Sequence, residues 1–515
     1  MKRHPSTRPI LYACLFALAL GCKAEGSGGS GGGQGGSNAS GGNSASGANS
    51  ATGGSQGTGG SGSGGSTATG GSGAGGSSVS CTFQVTGTPS NKISTVGIIT
   101  WSTTLPSPTD AHIDFGLDSS YGMTAPVDLS IASYRTLLLG MKTSSTYHYR
   151  ITATNASGSC TSNDYTIATG PAPNGLPAPT VTTNNASALY GGFLVTGQFS
   201  QAMVGSSSGA PAFILDKDGS YVWWYTVSGS DATGVAMSYD GQYVWINSVN
   251  VPNGTTHVHR VTMDGLEDLD FSTPFKGLSH QLTPLPDGSV AFYAYGANGC
   301  DDIKIFPANG TPNDSATTIV NSKNAHGGSG NCHVNDIQYS PSDDTLIFSD
   351  LDNNCLTKIS KTGSTVWVLN GGVGGVTSSF NGGNLVWKGG EHGFTVLGAD
   401  DLVIFNNNSK VPAGSTTSWG TAAGDGSGAQ AIEVKLDLSA KTATQTWTSK
   451  ANPALVNDVL GDAQRLPNGN TMVDYATKGT IQEVDKNGAL LQQIATKTNF
   501  GYLTKRATLY GPPPR

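Results

Sequence analysis

The chain has 515 residues and a formal net charge of -7; 74 residues are Gly and only 12% are charged. That length exceeds one ordinary core, and so much glycine with so little charge assigns a large share of the chain to linkers and turns. The scattered Lys and Arg form no basic stripe, which excludes nucleic acid and anionic lipid surfaces as partners of the folded part.

The N-terminus reads MKRHPSTR, then the apolar run ILYACLFALALG, then Cys22. This is the layout of a secretory signal, and the run is too short to span a membrane. ALGC, with Gly21 immediately before Cys22, resembles a bacterial lipoprotein signal, although Ala19 stands where Leu is usual. The resemblance implies a signal over 1–21 and lipid attachment at Cys22; a plain signal cleaved nearby is the alternative. Lys23 resembles outer-membrane sorting, so the expected address is the cell envelope, as an outer-membrane lipoprotein facing the periplasm or the cell surface. Residues 22–80 read as a disordered tether. From Gly26 to Ser80 there is no charge and no aromatic residue, so the segment cannot bury enough surface to fold. A Gly-rich chain of roughly 55 residues has an end-to-end distance of about 40 Å.

With Cys14 in the signal and Cys22 acylated, five cysteines remain in an oxidising compartment. Cys81 and Cys160 bracket one domain and are expected to pair. Cys300 and Cys332 sit in Gly/Asn loops and are expected to pair, which leaves Cys355, at the start of the apolar run CLTKI, single. No Cys/His spacing suggests zinc.

Residues 81–170 alternate apolar and polar positions in VGIITWS and YHYRITATN, as strands of an antiparallel sandwich do. The run LLLGMKTSSTYHYRITATNASG resembles a fibronectin type III domain, a module that spaces or presents others. His112 and His148 read as ordinary strand histidines without polar company. PAPNGLPAPTV, covering 171–181, marks a stiff boundary.

From 182 to 515 short β-rich runs alternate with Asn/Asp/Gly turns and helical periodicity is nearly absent. Two kinds of turn interleave. One follows polar strands (LDKDG at 215, TMDG at 262, SKTG at 360, VDKNG at 484); the other lies inside apolar hairpins (YDG at 239, LPDG at 285, PSDD at 341, GADD at 398, LPNG at 466). Successive members recur at roughly the period of four-stranded propeller blades, which gives about six blades, with seven possible. A double-sheet sandwich could also use many short strands, but it has no reason to repeat one phrase in successive hairpins.

Three of these hairpins open on histidine: HQLTPLPDGSVAFYAY at His280, HVNDIQYSPSDDTLIFSD at His333 and HGFTVLGADDLVIFNNN at His392. In a radial repeat the first residue of a repeated phrase falls on one ring, so these imidazoles are expected to converge. The equivalent positions of two other hairpins hold small residues, Thr233 and Gly461. Imidazole can ligate metal, carry protons or attack an electrophile. Asp336 and Glu391 are close enough in sequence to support a metal, which keeps metal-dependent hydrolysis open.

GNCHVNDIQYSPSDDTLIFSD, TKISKTGSTVWVLNGG, GEHGFTVLGADDLVIFNNN, LGDAQRLPNGNTMVDYATKGTIQEVDKNG and LYGPPPR, in that order, resemble the bacterial aryl-sulfate sulfotransferases. The resemblance covers roughly 182 to the end. It implies an all-β fold, a six-bladed propeller, here preceded by the fibronectin-like sandwich and the Gly/Ser linker. It implies sulfuryl transfer from an aryl sulfate to a phenol without a nucleotide sulfate donor or any other cofactor. By the same resemblance His392 is the nucleophile that becomes a sulfohistidine, His333 and Asn335 bind sulfuryl oxygens, and His280 completes the centre. Two positions depart from the family pattern: Leu351 stands for an arginine, and Glu391 for the glutamine before the nucleophile. A guanidinium fork binds a sulfuryl group well and Leu brings no charge, which makes Lys388, four residues before His392, the candidate substitute. An ionised Glu391 pointing inward would repel an anionic donor. A non-catalytic propeller that binds a ligand or surface partner is the competing reading.

Overall fold

In the computed structural model the chain is described at 68–69, 79–199, 209–229, 231–250, 255–296, 299–328, 330–372, 376–398, 400–410 and 423–511. The signal expected over 1–21, the lipid site at Cys22 and nearly all of the tether lie outside these residues. Within the tether, Ala68–Thr69 runs antiparallel to Thr82–Phe83.

Residues from Cys81 to Ala168 form two small sheets. One contains Thr82–Pro89, Gly97–Thr103 and Thr136–Leu138; the other contains Asp110–Gly116, Gly122–Pro126, Thr146–Asn155, Gly158–Thr161 and Tyr165–Ala168. The period-2 alternation buries Tyr147, Tyr149 and Ile151 against Phe83, Trp101 and Ile113 between the sheets. The Cys81–Cys160 disulfide, with Cα atoms 6.2 Å apart, closes this core as expected. The strand histidines differ from expectation, because both face carboxylates. His148 Nδ1 lies 2.7 Å from Asp164 and His112 Nε2 lies 3.9 Å from Asp114. Asp114 lies two residues after His112 on the same strand, whereas Asp164 comes from the loop before Tyr165–Ala168, the strand that pairs with that of His148.

This small unit is not a loosely tethered spacer. Ile93, Val96 and Leu139 are buried in the same cluster as Leu215, Trp223 and Met263 of the larger part. Around them Ser90 Oγ donates to Asp264 O (2.6 Å), Thr95 Oγ1 to Val222 O (2.8 Å), and Arg135 pairs with Asp264. Tyr510, from the far end of the chain, donates its hydroxyl to Leu137 O (2.9 Å) and accepts the Leu139 N–H (2.8 Å).

The rest of the described chain is built of six largely antiparallel sheets in sequence order. The second holds Asp231–Met237, Tyr243–Asn250, Thr255–Thr262 and Asp268–Asp270. The third holds Thr283–Pro284, Val290–Tyr295, Asp301–Phe306 and Thr317–Asn321. The fourth holds Val334–Ser340, Thr345–Asp350, Cys355–Ser360 and Thr365–Asn370, and the fifth Glu391–Leu397, Asp401–Asn406, Gln430–Asp437 and Thr442–Lys450. The first and sixth sheets share the ends of the domain. Thr180–Thr183 adds to the edge of Asp462–Arg465, Thr471–Tyr475, Thr480–Val484 and Leu490–Ala495; Thr504–Arg506 pairs with Phe193–Phe199, followed by Ala210–Asp216 and Tyr221–Val227.

The two families of turn occupy distinct levels. The apolar turns at 239, 285, 341, 398 and 466 each join the first strand of a sheet to its second. The polar turns at 215, 262, 360 and 484 join the third strand to the fourth, or their equivalents in the first sheet. First strands of successive sheets are neighbours from Phe193–Phe199 through Asp231–Met237 and from Val334–Ser340 through Glu391–Leu397 to Asp462–Arg465. Gln464, on the sixth sheet, exchanges two hydrogen bonds with the backbone of Lys505 in the first (2.6 and 3.1 Å). The apolar cores lie between adjacent sheets, for example Phe275, Phe292 and Phe306 around Trp245, and Trp367, Trp387 and Phe394 around Leu402.

Candidate active site

The three histidines lie at or just before the first strands of three successive sheets. His280 ends the loop before Thr283, His333 immediately precedes Val334–Ser340, and His392 is the second residue of Glu391–Leu397. Their rings meet. The His280 centroid is 5.5 Å from that of His333 and 6.1 Å from that of His392, with Tyr502 at 6.2 Å. His280 and His392 are 8% and 3% exposed, while His333 is more open. The positions holding small residues in other hairpins also lie here: Thr233 O accepts the Tyr502 N–H (2.9 Å) and Gly461 O accepts the Gly393 N–H (2.9 Å). Gly393 is required by close approach, since a Cβ there would overlap the Asp462 carboxylate.

Burial holds both inner imidazoles neutral. His280 lies well below the usual range, through desolvation first and then the neighbouring His333 and His392. His392 is pushed down to about 3 by burial, against the opposing effect of its hydrogen bond to the Asn407 carbonyl oxygen and with some help from His333. Ser279 Oγ is 2.7 Å from His280 Nδ1, and Asn407 Oδ1 is 2.7 Å from His392 Nδ1. A neutral imidazole retains the lone pair that a nucleophile needs.

Asn335 is fully buried and its amide Nδ2 donates to Glu391 O (2.7 Å), so it fixes the backbone beside His392. Its own carbonyl accepts the hydroxyls of Tyr293 (2.6 Å) and Tyr502 (2.8 Å). Asp336 accepts the Phe394 N–H (3.2 Å), which ties the fourth sheet to the fifth, and burial raises its carboxyl to about 7.

Glu391 points into the protein, where Trp387 Nε1 donates to its Oε2 (3.1 Å). Burial raises its carboxyl well above the usual range, and the nearby Asp350 adds to the rise. Burial thus disfavours the ionised form, and with it the expected repulsion of an anionic donor. Lys388 is exposed, and among the described residues no hydrogen bond or ion pair joins it to the three histidines. Leu351 lies beside the site, its N–H donating to His333 O (2.9 Å), and its side chain brings no charge.

Sequence reasoning missed a buried pair behind His333. His326 Nε2 donates to Asp350 Oδ2 (2.9 Å), while Asp350 Oδ1 accepts the N–H of His333 (3.1 Å) and of Asn353 (3.2 Å). The Cys300–Cys332 disulfide, Cα atoms 4.4 Å apart, staples the segment next to it, and Cys355 is single and buried, both as expected. His326, Asp350 and Cys332 form the one group of potential metal ligands close enough to share an ion among the described residues. Cys332 is committed to its disulfide and offers no thiolate. His280, His333 and His392 do not form such a group.

Residues 303–502 match the arylsulfotransferase (ASST) family model. The matched segment includes His333 and His392 and stops short of His280. No curated protein matches the chain. Similar solved structures include TolB from Acinetobacter baumannii (14% identity, 71% of this chain and 80% of that one, TM-score 0.39). They also include the Cps50 (Swd1) β-propeller domain of Myceliophteria thermophila (10%, 62% and 90%, TM-score 0.37). A third is virginiamycin B lyase from Staphylococcus aureus, in a catalytically inactive form with quinupristin (12%, 80% and 99%, TM-score 0.33).

Proposed function

We propose that residues 182–515 are a closed six-bladed propeller that transfers a sulfuryl group from an aryl sulfate to a phenol through a sulfohistidine at His392. The observation that carries this reading is the meeting of His280, His333 and His392, from separate sheets, in a segment of which two of the three lie inside the arylsulfotransferase match. The exchange between Gln464 and Lys505 supports closure of the ring.

In the first half-reaction a His392 ring nitrogen forms a bond to sulfur as the aryl S–O bond breaks, and the electron pair leaves on the phenolate oxygen. In the second the acceptor phenol oxygen bonds to sulfur, the N–S pair returns to His392, and the phenol proton passes to neutral His280. His333 stabilises charge on the sulfuryl oxygens, while Asn335 holds the backbone beside His392 through Glu391 O. These steps call on no cofactor. The Cys22 lipid and the tether hold the protein at the outer membrane, with the fibronectin-like sandwich of 81–170 as a bracing module.

Leu351 favours a second reading, a propeller that binds an aryl sulfate or a surface partner without turnover, since it stands where the family has an arginine and its side chain carries no charge. Incubation with a chromogenic aryl sulfate and a panel of phenols separates the two. Phenolate release that depends on the acceptor and vanishes in His392→Ala supports transfer; binding without product across the panel rejects it.

A further inference from the structure

The partners of Asn407 decide which nitrogen of His392 is free. Asn407 is 1% exposed and follows directly on the second strand of the fifth sheet. Its Nδ2 faces two backbone carbonyls, Asn457 O at 2.8 Å and Leu460 O at 3.0 Å. Both carbonyls are held in place. The Asn457 side chain donates to Val459 O and Leu460 O and accepts from the Thr477 N–H and hydroxyl. Leu460 has a left-handed backbone (φ 57°), and Gly461, next to it, bonds to the His392 strand.

These two carbonyls fix the orientation of the amide. Rotating it by half a turn would set Oδ1 against two carbonyl oxygens at hydrogen-bond distance, two buried repulsions in place of two hydrogen bonds. Nδ2 is therefore the group facing Asn457 and Leu460, and Oδ1 is the group 2.7 Å from His392 Nδ1. A carbonyl oxygen can only accept, so Nδ1 carries the proton and Nε2 carries the lone pair.

We propose that Asn407 is a positioning residue that locks His392 in the Nδ1–H tautomer and so makes Nε2 the nitrogen that attacks. This rests on the sulfotransferase reading for its catalytic consequence, but not for the tautomer itself. As the Nε2–S bond forms and the aryl S–O bond breaks, the ring becomes a sulfo-imidazolium. Its positive charge is shared with Nδ1–H, where the Asn407 carbonyl stabilises it. When the acceptor takes the sulfuryl group the pair returns to Nε2, and Nδ1 keeps its proton throughout.

The test is ring-nitrogen NMR on the full chain labelled with 15N-histidine, with His392→Gln to assign the signal, beside steady-state transfer kinetics of Asn407→Ala. We expect His392 with a protonated Nδ1 and a bare Nε2 in the parent protein. Asn407→Ala should show a mixed or reversed tautomer, with kcat down by roughly 10²- to 10⁴-fold and KM little changed. Nε2–H in the parent protein overturns the proposal without needing any variant, as does an unchanged tautomer in a folded Asn407→Ala. The predicted tautomers in both proteins with no transfer to any phenol would uphold the role of Asn407 and reject the sulfotransferase reading.

Discussion

Replacing Asp350 should be among the costliest single changes in the protein, and the cost follows from its partners. Its carboxylate is fully buried and receives three hydrogen bonds, from His326 Nε2, the His333 N–H and the Asn353 N–H. His326 cannot turn away, because its Nδ1 already accepts the Gly328 N–H at 2.9 Å. Asp350→Ala strips all three donors of their acceptor at once; removing one partner of a buried pair costs about 3–5 kcal/mol, and the two backbone groups bring the loss toward the upper end. Asp350→Asn is the sharper probe. Its carbonyl can still serve the two backbone N–H groups, but its NH₂ must face the Nε2–H of His326, donor against donor. The loss is then one charge-assisted bond, about 2 kcal/mol. Denaturant unfolding measures both, provided the m-value is unchanged, and amide exchange at His333 reports the local release. An Asp350→Asn protein within about 0.5 kcal/mol of the parent, with His333 equally protected, would refute the reasoning.

Four further outcomes are expected of the molecule. Because burial raises the Glu391 carboxyl well above its ordinary value, the folded protein gives up this proton at higher pH than the unfolded chain does, so stability falls as pH rises from about 4.5 toward the raised folded value. Unfolding midpoints across that range should decline less steeply in Glu391→Gln, by up to about 1.4 kcal/mol per pH unit; parallel slopes would contradict this. His392 has the opposite sign. It stays neutral when folded while the unfolded chain protonates near pH 6.5, so its contribution is complete above 6.5 and is lost as pH falls toward about 3. Transfer activity should therefore show no acid-side inflection near 6.5 from this residue, and a clear one there would count against it. Replacing both Cys300 and Cys332 by Ser opens a crosslink spanning 32 residues and should cost about 3–4 kcal/mol, against about 4–5 for the 79-residue span of Cys81 and Cys160, as read from unfolding midpoints of the two double variants. Tyr510→Phe removes a hydroxyl that both donates and accepts between the small sandwich and the rest, and should lower stability by about 1–3 kcal/mol with faster protease cleavage near 171–181.

What the sequence revealed was whatever repeats. The turn chemistry assigned both families of hairpin, and because the histidine phrase recurs, it also announced that His280, His333 and His392 would meet. Cysteine placement gave both disulfides for similar reasons, since bracketing residues and loop positions are one-dimensional facts. The supporting cast was hidden because it is assembled only when sheets pack. Asn407 is one of three consecutive asparagines, and nothing in IFNNN distinguishes the one that meets an imidazole from its neighbours. His326 lies in a short helix, Ser322–His326, outside any repeated phrase, and reaches Asp350 across an intervening strand. The setting of Glu391 was hidden for a related reason: burial and the Trp387 hydrogen bond act on its carboxyl, and neither can be read from its place in the chain.

The interlocking of the outermost segments constrains how the molecule is made. Thr504–Arg506 pairs with Phe193–Val195 across roughly three hundred residues of intervening chain. The first sheet is therefore left unfinished, with its inner edge bare, until the final stretch of polypeptide arrives. Tyr502, which faces the histidines, comes in on that same stretch. The same last stretch thus supplies both a strand of the first sheet and the tyrosine beside His280, so a chain cut short before this point would lack the two together.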